Sequence, residues 1–538
     1  MGKLNLYLFF SISIYFINIA LGSKPEDPTY KVGVVEFNRA KGNDENITLE
    51  ENIVNVGNLL RNYLFPGTPG EDVDIVIFPE SVLNTYKNPV FVPNPDEKKI
   101  LCDKKENNPE LLNTLSCWAI IFRKYIVFNL VEKTECTVES QNELNDDRPC
   151  GQDGINRYNT NIVFDRNGAI IARYRKVNPY GETLINTTIT PDYSTFDTDF
   201  GVKFGTAICF DLLFKTPIQE LVEKYGVTDI VFPTYWFSEL PFLTANQIQQ
   251  GWSYGNNVNF LAAGGNAPET GTTGTGIFSG KSGALVSKMY NYVSSEMLIS
   301  AVPKMGRKDG IKINHQGNVL HAPNIIPNKL KGLKMKRDKS VDEFVSKLIE
   351  EEGNTTAELC FEDICCEFDV DVKTFRKQDG YEYYYYRMVA FSGTRTHGNG
   401  TKTTKYKTCA IIACTDDKNL ESCGKIFSDE TKQQNYYSFN KIVIDGKFSD
   451  SKDVLFTPNS VEQSFRPLPY RAFNFTVEDN DDGKLVKMEL KAESADLLTF
   501  GIYVLDYKTS NAKQNLPSIF IFSVTIMILC FLKDSEIV

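Results

Sequence analysis

The 538 residues contain three histidines, His315, His321 and His397. That scarcity leaves little material for a His-rich metal centre or a Ser/His/Asp relay. A basic excess is also missing, because 58 Lys and Arg stand against 69 Asp and Glu, for a formal net charge of −11. A nucleic-acid binder is expected to show a basic face for counterion release, so no nucleic-acid partner is expected. The acidic balance speaks for solubility and names no substrate. The glycine clusters Gly264-Gly265 and Gly271 to Gly276 do not match the phosphate-binding pattern GxxxxGKS/T and read as turns or a loop near a pocket. No internal repeat is visible, and neither a metal nor a cofactor is expected.

Long apolar runs are confined to the two ends. Lys3, the stretch Leu6 to Leu21 and the small-x-small step Ala20-Leu21-Gly22 predict a secretory signal over residues 1–22; an N-terminal membrane anchor is the rival reading. Sequons at Asn46, Asn186, Asn354, Asn399 and Asn474 agree with export. At the other end, residues 509–538 carry Leu516 to Leu532 behind Ser510-Asn511-Ala512, which predicts a glycolipid attachment signal with Ser510 or Asn511 as the anchor site. The short spacer and the charged final residues keep a single spanning helix as the competitor. Both place the chain at a membrane, facing outward, in an oxidising compartment.

Cysteine, in contrast to histidine, is plentiful at twelve. Cys530 falls in the tail and Cys209 follows a strand. The other ten form an even set able to make five bridges, with Cys136 and Cys150 the easiest pair and the group from Cys360 to Cys423 stapling a second domain.

A chain of this length divides into domains. Residues 23–326 alternate β-branched runs with amphipathic segments. Strands are expected at Lys31–Phe37, Asp74–Phe78, Tyr125–Asn129, Lys203–Ile208 and Asp229–Phe232, and helices at Glu50–Leu64 and Thr216–Lys224. Asn167-Gly168 predicts a hairpin between Asn161–Phe164 and Ala169–Ala172. Trp252 and Tyr254 sit on an expected helix as core residues. This half is read as α/β with a mixed sheet. Residues 327–340 form a basic run read as a solvated linker. Residues 341–508 are β-rich, with strands expected at Tyr381–Val389, Cys409–Cys414, Ile442–Ile444 and Met488–Leu490.

Three of the first domain's strands end in reactive residues: Phe78-Pro79-Glu80, Arg173-Tyr174-Arg175-Lys176 and Cys209-Phe210-Asp211. In α/β sheets such ends converge on one edge, where ligands bind. A carboxylate, an ammonium and a thiol suffice for acyl transfer from an amide. The thiol needs a base, which Glu80 supplies, and the tetrahedral intermediate needs positive charge, which Lys176 supplies; the Phe210 N–H is a second oxyanion donor. Taken residue by residue, Cys209 also fits half of a disulfide, and Glu80 and Lys176 fit solvated loops. Tyr235 and Trp236, after a strand at the same edge, either line the pocket or pack in the core.

The three motifs stand in the order and context of the Glu/Lys/Cys motifs of the nitrilase superfamily. Arg157-Tyr158-Asn159-Thr160-Asn161-Ile162-Val163-Phe164-Asp165, Ile230-Val231-Phe232-Pro233-Thr234-Tyr235-Trp236 and Val258-Asn259-Phe260-Leu261-Ala262-Ala263 resemble its vanin/biotinidase branch, as do Cys365-Cys366-Glu367, Cys409 to Cys414 and Cys423-Gly424. The resemblance implies an α-β-β-α sandwich followed by a β-rich domain, an extracellular location and often a glycolipid anchor. It implies hydrolysis of a linear amide, of pantetheine or biotinyl-lysine type, with Glu80 as base, Lys176 as stabilising cation, Cys209 as nucleophile and Glu182 as the supporting glutamate. A catalytically retired relative serving as a surface binding or adhesion protein is the alternative.

Overall fold

The computed structural model describes residues 22–42, 44–103, 109–144, 146–305, 332–398, 400, 402–449 and 452–508. Residues 1–21 of the expected signal, Asn399, and the tail with Ser510, Asn511 and Cys530 lie outside them.

Strands β1 (Thr29–Glu36), β2 (Ile75–Ile77), β3 (Tyr125–Glu135), β4 (Ile155–Phe164) and β5 (Ile170–Arg175) open the chain. They are followed by β6 (Thr195–Asp197), β7 (Lys203–Thr206), β8 (Asp229–Thr234) and β9 (Glu239–Leu240). Then come β10 (Asn259–Gly264), β11 (Thr275–Ser279), β12 (Ala284–Lys288) and β13 (Glu296–Pro303). They build two six-stranded sheets, ordered β13-β1-β2-β3-β4-β5 and β12-β11-β10-β8-β7-β6. The expected hairpin joins β4 to β5, and Gly168 takes the positive φ of 80° that its turn requires.

Because strand side chains alternate, each sheet buries both faces. Val32, Val34, Ile75, Ile77 and Val127 meet Phe204, Val231 and Leu261 between the sheets. Val35, Val76 and Phe128 turn outward against helices α1 (Glu45–Leu64) and α2 (Glu110–Phe122). Burial on both faces explains why these strands read as continuous apolar runs. Helix α1 starts earlier than the expected Glu50, because the Asp44 carboxylate accepts the N–H groups of Asn46 and Ile47. The helix expected over Thr216–Lys224 is broken. Pro217 has no N–H and pushes Thr216 to φ −98°, ψ 126°, leaving a wide turn over Lys215–Gln219 and one α turn over Glu220–Glu223. On the outer face of the second sheet, Ile248 and Trp252 of the helix Ala245–Asn256 pack with Phe232, Phe260 and Phe278. Two sheets between helical layers make an α-β-β-α sandwich.

The second domain is built from strands alone among the described residues, apart from short 3-10 turns. After β14 (Lys336–Arg337) come β15 (Val345–Leu348), β16 (Gly353–Phe361), β17 (Ile364–Thr374), β18 (Tyr385–His397) and β19 (Lys402–Cys414). β20 (Tyr437–Phe448), β21 (Val454–Glu462), β22 (Phe473–Asn480), β23 (Gly483–Leu490) and β24 (Leu497–Asp506) complete it. They form sheets ordered β15-β18-β19-β24-β21 and β16-β17-β20-β23-β22. The strand expected from Tyr381 begins only at Tyr385, because Tyr383 and Tyr384 pack on Tyr436 and Phe427 at 4.4 and 4.8 Å between ring centroids.

Five bridges form, Cys102–Cys117, Cys136–Cys150, Cys360–Cys365, Cys366–Cys409 and Cys414–Cys423. The fourth ties β17 to β19, one strand from each sheet.

The domains share one buried cluster. The helix Ala245–Asn256 lies against β21 so closely that a Cβ on Gly251 or Gly255 would stand 2.8 or 2.9 Å from the carbonyl oxygens of Pro458 and Phe456. Gln247 Nε2 donates to Asn459 Oδ1 at 2.6 Å. The basic run read as a solvated linker is, in its described part, built into this joint. Leu333 is buried, β14 pairs with β9, and Arg337 donates to the Cys423 and Leu420 carbonyls. Lys334, Lys336 and Lys339 stay exposed, so the backbone is paired into the joint while those ammonium groups keep their hydration.

Candidate active site

The three reactive residues meet at one edge of the sandwich. Glu80 follows β2, Lys176 follows β5 and Cys209 follows β7, and all three are buried. β7 ends at Thr206 instead of the expected Ile208, since the backbone turns sharply into Cys209, whose φ of 46° is left-handed. Asp211 holds this turn. Its carboxylate accepts from the Ile208 N–H at 3.0 Å, the Tyr174 hydroxyl at 2.7 Å and Asn178 Nδ2 at 2.9 Å.

Lys176 Nζ donates to Glu80 Oε1 at 2.7 Å and also to Glu182 Oε1. Glu182 is thus brought into the cluster. Asn159 Nδ2 spans the two carboxylates, at 2.8 Å from Glu80 Oε1 and 3.1 Å from Glu182 Oε2. The Tyr235 N–H donates to Glu80 Oε2 at 2.9 Å. Behind Asn159, Asn129 Nδ2 donates to Asn159 Oδ1 and Asn161 Oδ1 at 2.7 and 3.0 Å. Buried amides in a chain of bonds fix the carboxylate's orientation.

Burial alone would lower the Lys176 ammonium, yet the charges of Glu182 and Glu80 hold it well above its ordinary value. Burial pushes Glu182 up, and Lys176 outweighs it, so that carboxyl is lowered. Burial raises the Cys209 thiol strongly, Glu80 adds to the rise, and Lys176 opposes it. The resting site therefore holds a charged lysine beside a protonated thiol. Asp211 is raised to about 6 by its own burial.

A small, partly open cleft is lined by Cys209. Phe210 and Trp236 line it, and Trp236 is pinned by a 2.9 Å bond from Nε1 to the Leu243 carbonyl. Tyr235 instead turns its ring toward Phe237 and serves the site through its backbone. Glu239 and His397 also line the cleft, the latter from the second domain. Sequence reasoning passed over Asn159, Asn161 and His397. For the two asparagines the signal was there, as alternate polar residues in an otherwise buried strand. For His397 no local signal exists.

Residues 40–225 match the carbon-nitrogen hydrolase family, and residues 333–510 match the vanin C-terminal domain. Vanin-like protein 1 of Drosophila melanogaster is 37% identical over 445 residues, covering 80% of this chain and 78% of its own. The chain belongs to the vanin family. It is a carbon-nitrogen hydrolase of the nitrilase superfamily. Mouse pantetheinase is similar to this vanin-family chain at 29% identity over 444 residues, 81% of this chain and 78% of that one. Mouse biotinidase is 38% identical over 216 residues, covering 38% and 40%.

Proposed function

We propose that this chain is an extracellular amidase that cleaves linear amides through a thioester on Cys209. The observation that carries the reading is the position of Cys209. It is the described cysteine outside every disulfide, held with a left-handed backbone at the edge where Glu80 and Lys176 meet.

Glu80 takes the proton from Sγ as sulfur attacks the amide carbonyl. The oxyanion forms against Lys176 and the Phe210 N–H, where buried charge acts at low dielectric. Glu80 then returns the proton to the departing amine, leaving the acyl group on sulfur. A water that gives its proton to Glu80 hydrolyses the thioester and regenerates the thiol. The raised thiol pKa fits this order, since the proton leaves only as the bond to carbon forms. Glu182 keeps Lys176 charged and oriented throughout.

Pantetheine is the first substrate to test, because the similarity to pantetheinase runs across both domains while that to biotinidase covers 38% of the chain. Export is supported by the five disulfides and by exposed sequon residues Asn46, Asn354 and Asn474, with Asn186 half-buried. Membrane attachment through Ser510 or Asn511 completes the reading. Incubation of the purified chain with pantetheine and biocytin should release cysteamine or lysine, and a trapped acyl group should map to Cys209 by mass spectrometry. Cys209→Ala should abolish turnover with secretion unchanged; loss of secretion with an intact wild-type thiol would instead give that residue a structural role.

A further inference from the structure

We infer that His397, reaching the cleft from the second domain, binds an uncharged hydrogen-bonding group of the substrate through Nδ1 and so helps set specificity. The inference rests on the amidase reading and adds to it a polar contact supplied by the second domain.

His397 closes β18 at the tip of the β18–β19 hairpin, and its ring meets Phe210 edge-on with 5.0 Å between centroids. Phe210 follows Cys209 in the chain, and all three residues line the same cleft. That wall is otherwise mostly apolar, with Phe210, Leu213, Trp236, Phe237 and Leu243. His397 is 5% exposed as a residue. Nε2 is taken by the Thr404 hydroxyl at 2.7 Å, and no described residue bonds Nδ1. Without a described partner and not wholly buried, Nδ1 keeps solvent access where His397 lines the cleft, and a substrate hydroxyl or amide would take the place of water there.

The ring is also held in place and held neutral. Arg395 lies two positions back on the same strand face. Its guanidinium pairs with Glu239 Oε2 at 2.5 Å and Asp338 Oδ2 at 3.0 Å, tying β18 to the first domain and occupying the Glu239 carboxylate of the cleft. Burial, and then the charge of Arg395, press the His397 imidazolium well below its ordinary pKa. A neutral ring beside a fixed cation suits a hydroxyl, amide or ureido group better than an ammonium.

The test uses the full chain and a set of amides sharing one amine, with acyl chains that carry a hydroxyl, a second amide or only methylenes. Wild type should prefer a polar acyl chain. His397→Phe should lower kcat/KM for that substrate about tenfold, chiefly through KM, and leave the methylene substrate within about twofold. His397→Asn, which keeps a polar atom where Nδ1 stands, should restore most of the preference. Equal losses on all substrates for both variants, with unchanged melting, would overturn this inference and leave the amidase reading intact. Failure of wild type to hydrolyse any of the amides would overturn both.

Discussion

Lys176 and Glu80 join at 2.7 Å with both side chains almost wholly buried, and Glu182 completes a carboxylate–ammonium–carboxylate group around one positive charge. Lys176→Met leaves two carboxylates facing each other without a cation. The expected cost is about 3–5 kcal/mol of stability, with turnover lost. Adding Glu182→Gln should recover part of the stability and none of the activity. Urea midpoints of the two variants read this directly, and a Lys176→Met chain that melts like wild type would refute it.

Asn159 reaches both carboxylates with one amide nitrogen. Asn159→Leu keeps the volume and removes that tether, so Glu80 is free to swing away from the thiol. A roughly hundredfold fall in kcat with KM little changed is expected, because the base is misplaced while the cleft is intact. Steady-state kinetics on pantetheine decide the matter; a pure KM effect would place Asn159 in binding instead.

Glu36 ends β1 away from this cluster, accepting from the hydroxyls of Thr273 and Thr275 and from Asn266 Nδ2 at 3.0 Å. Burial raises its pKa from the ordinary 4.5 to about 7 despite those bonds. The folded chain thus holds this proton more tightly than the unfolded chain. The resulting stability is full below 4.5 and is lost as pH rises through 7, by at most about 3 kcal/mol. Melting temperatures of wild type and Glu36→Gln across that window should show a flatter pH slope in the variant, whatever its offset at low pH. Parallel curves would mean that Glu36 does not titrate there.

Gly251 brings the helix Ala245–Asn256 against β21, with a Cβ position 2.8 Å from the Pro458 carbonyl oxygen. Gly251→Val must push the domains apart or strain the helix. A loss of about 1–3 kcal/mol is expected. Because His397 and Arg395 reach the first domain across the same joint, kcat/KM should fall as well. Protease sensitivity of the chain, followed beside activity, tests whether the two losses come together.

The strands of the first domain and the residues that end them were legible because burial on both sheet faces leaves continuous β-branched runs, and reactive residues at their ends interrupt that pattern visibly. The even number of the other ten cysteines allowed a free Cys209 without requiring it, and the five bridges leave it unpaired. Breaks such as that at Thr216 were misread, since apolar spacing there follows the helix period while Pro217 forbids the helix.

By itself, then, the sequence determined the two-domain division, an α/β first domain and strand ends that carry Glu80, Lys176 and Cys209, which follow from short-range periodicity, while the α-β-β-α frame and the roles of the three residues came from the resemblance to the nitrilase superfamily. Only the tertiary structure decided that Asn159 bridges two carboxylates, that Tyr235 serves through its backbone and that His397 enters the cleft from the other domain. Local pattern reports whether a side chain is buried. Which distant side chain it meets depends on how whole sheets and domains pack, and no window of neighbouring residues carries that information.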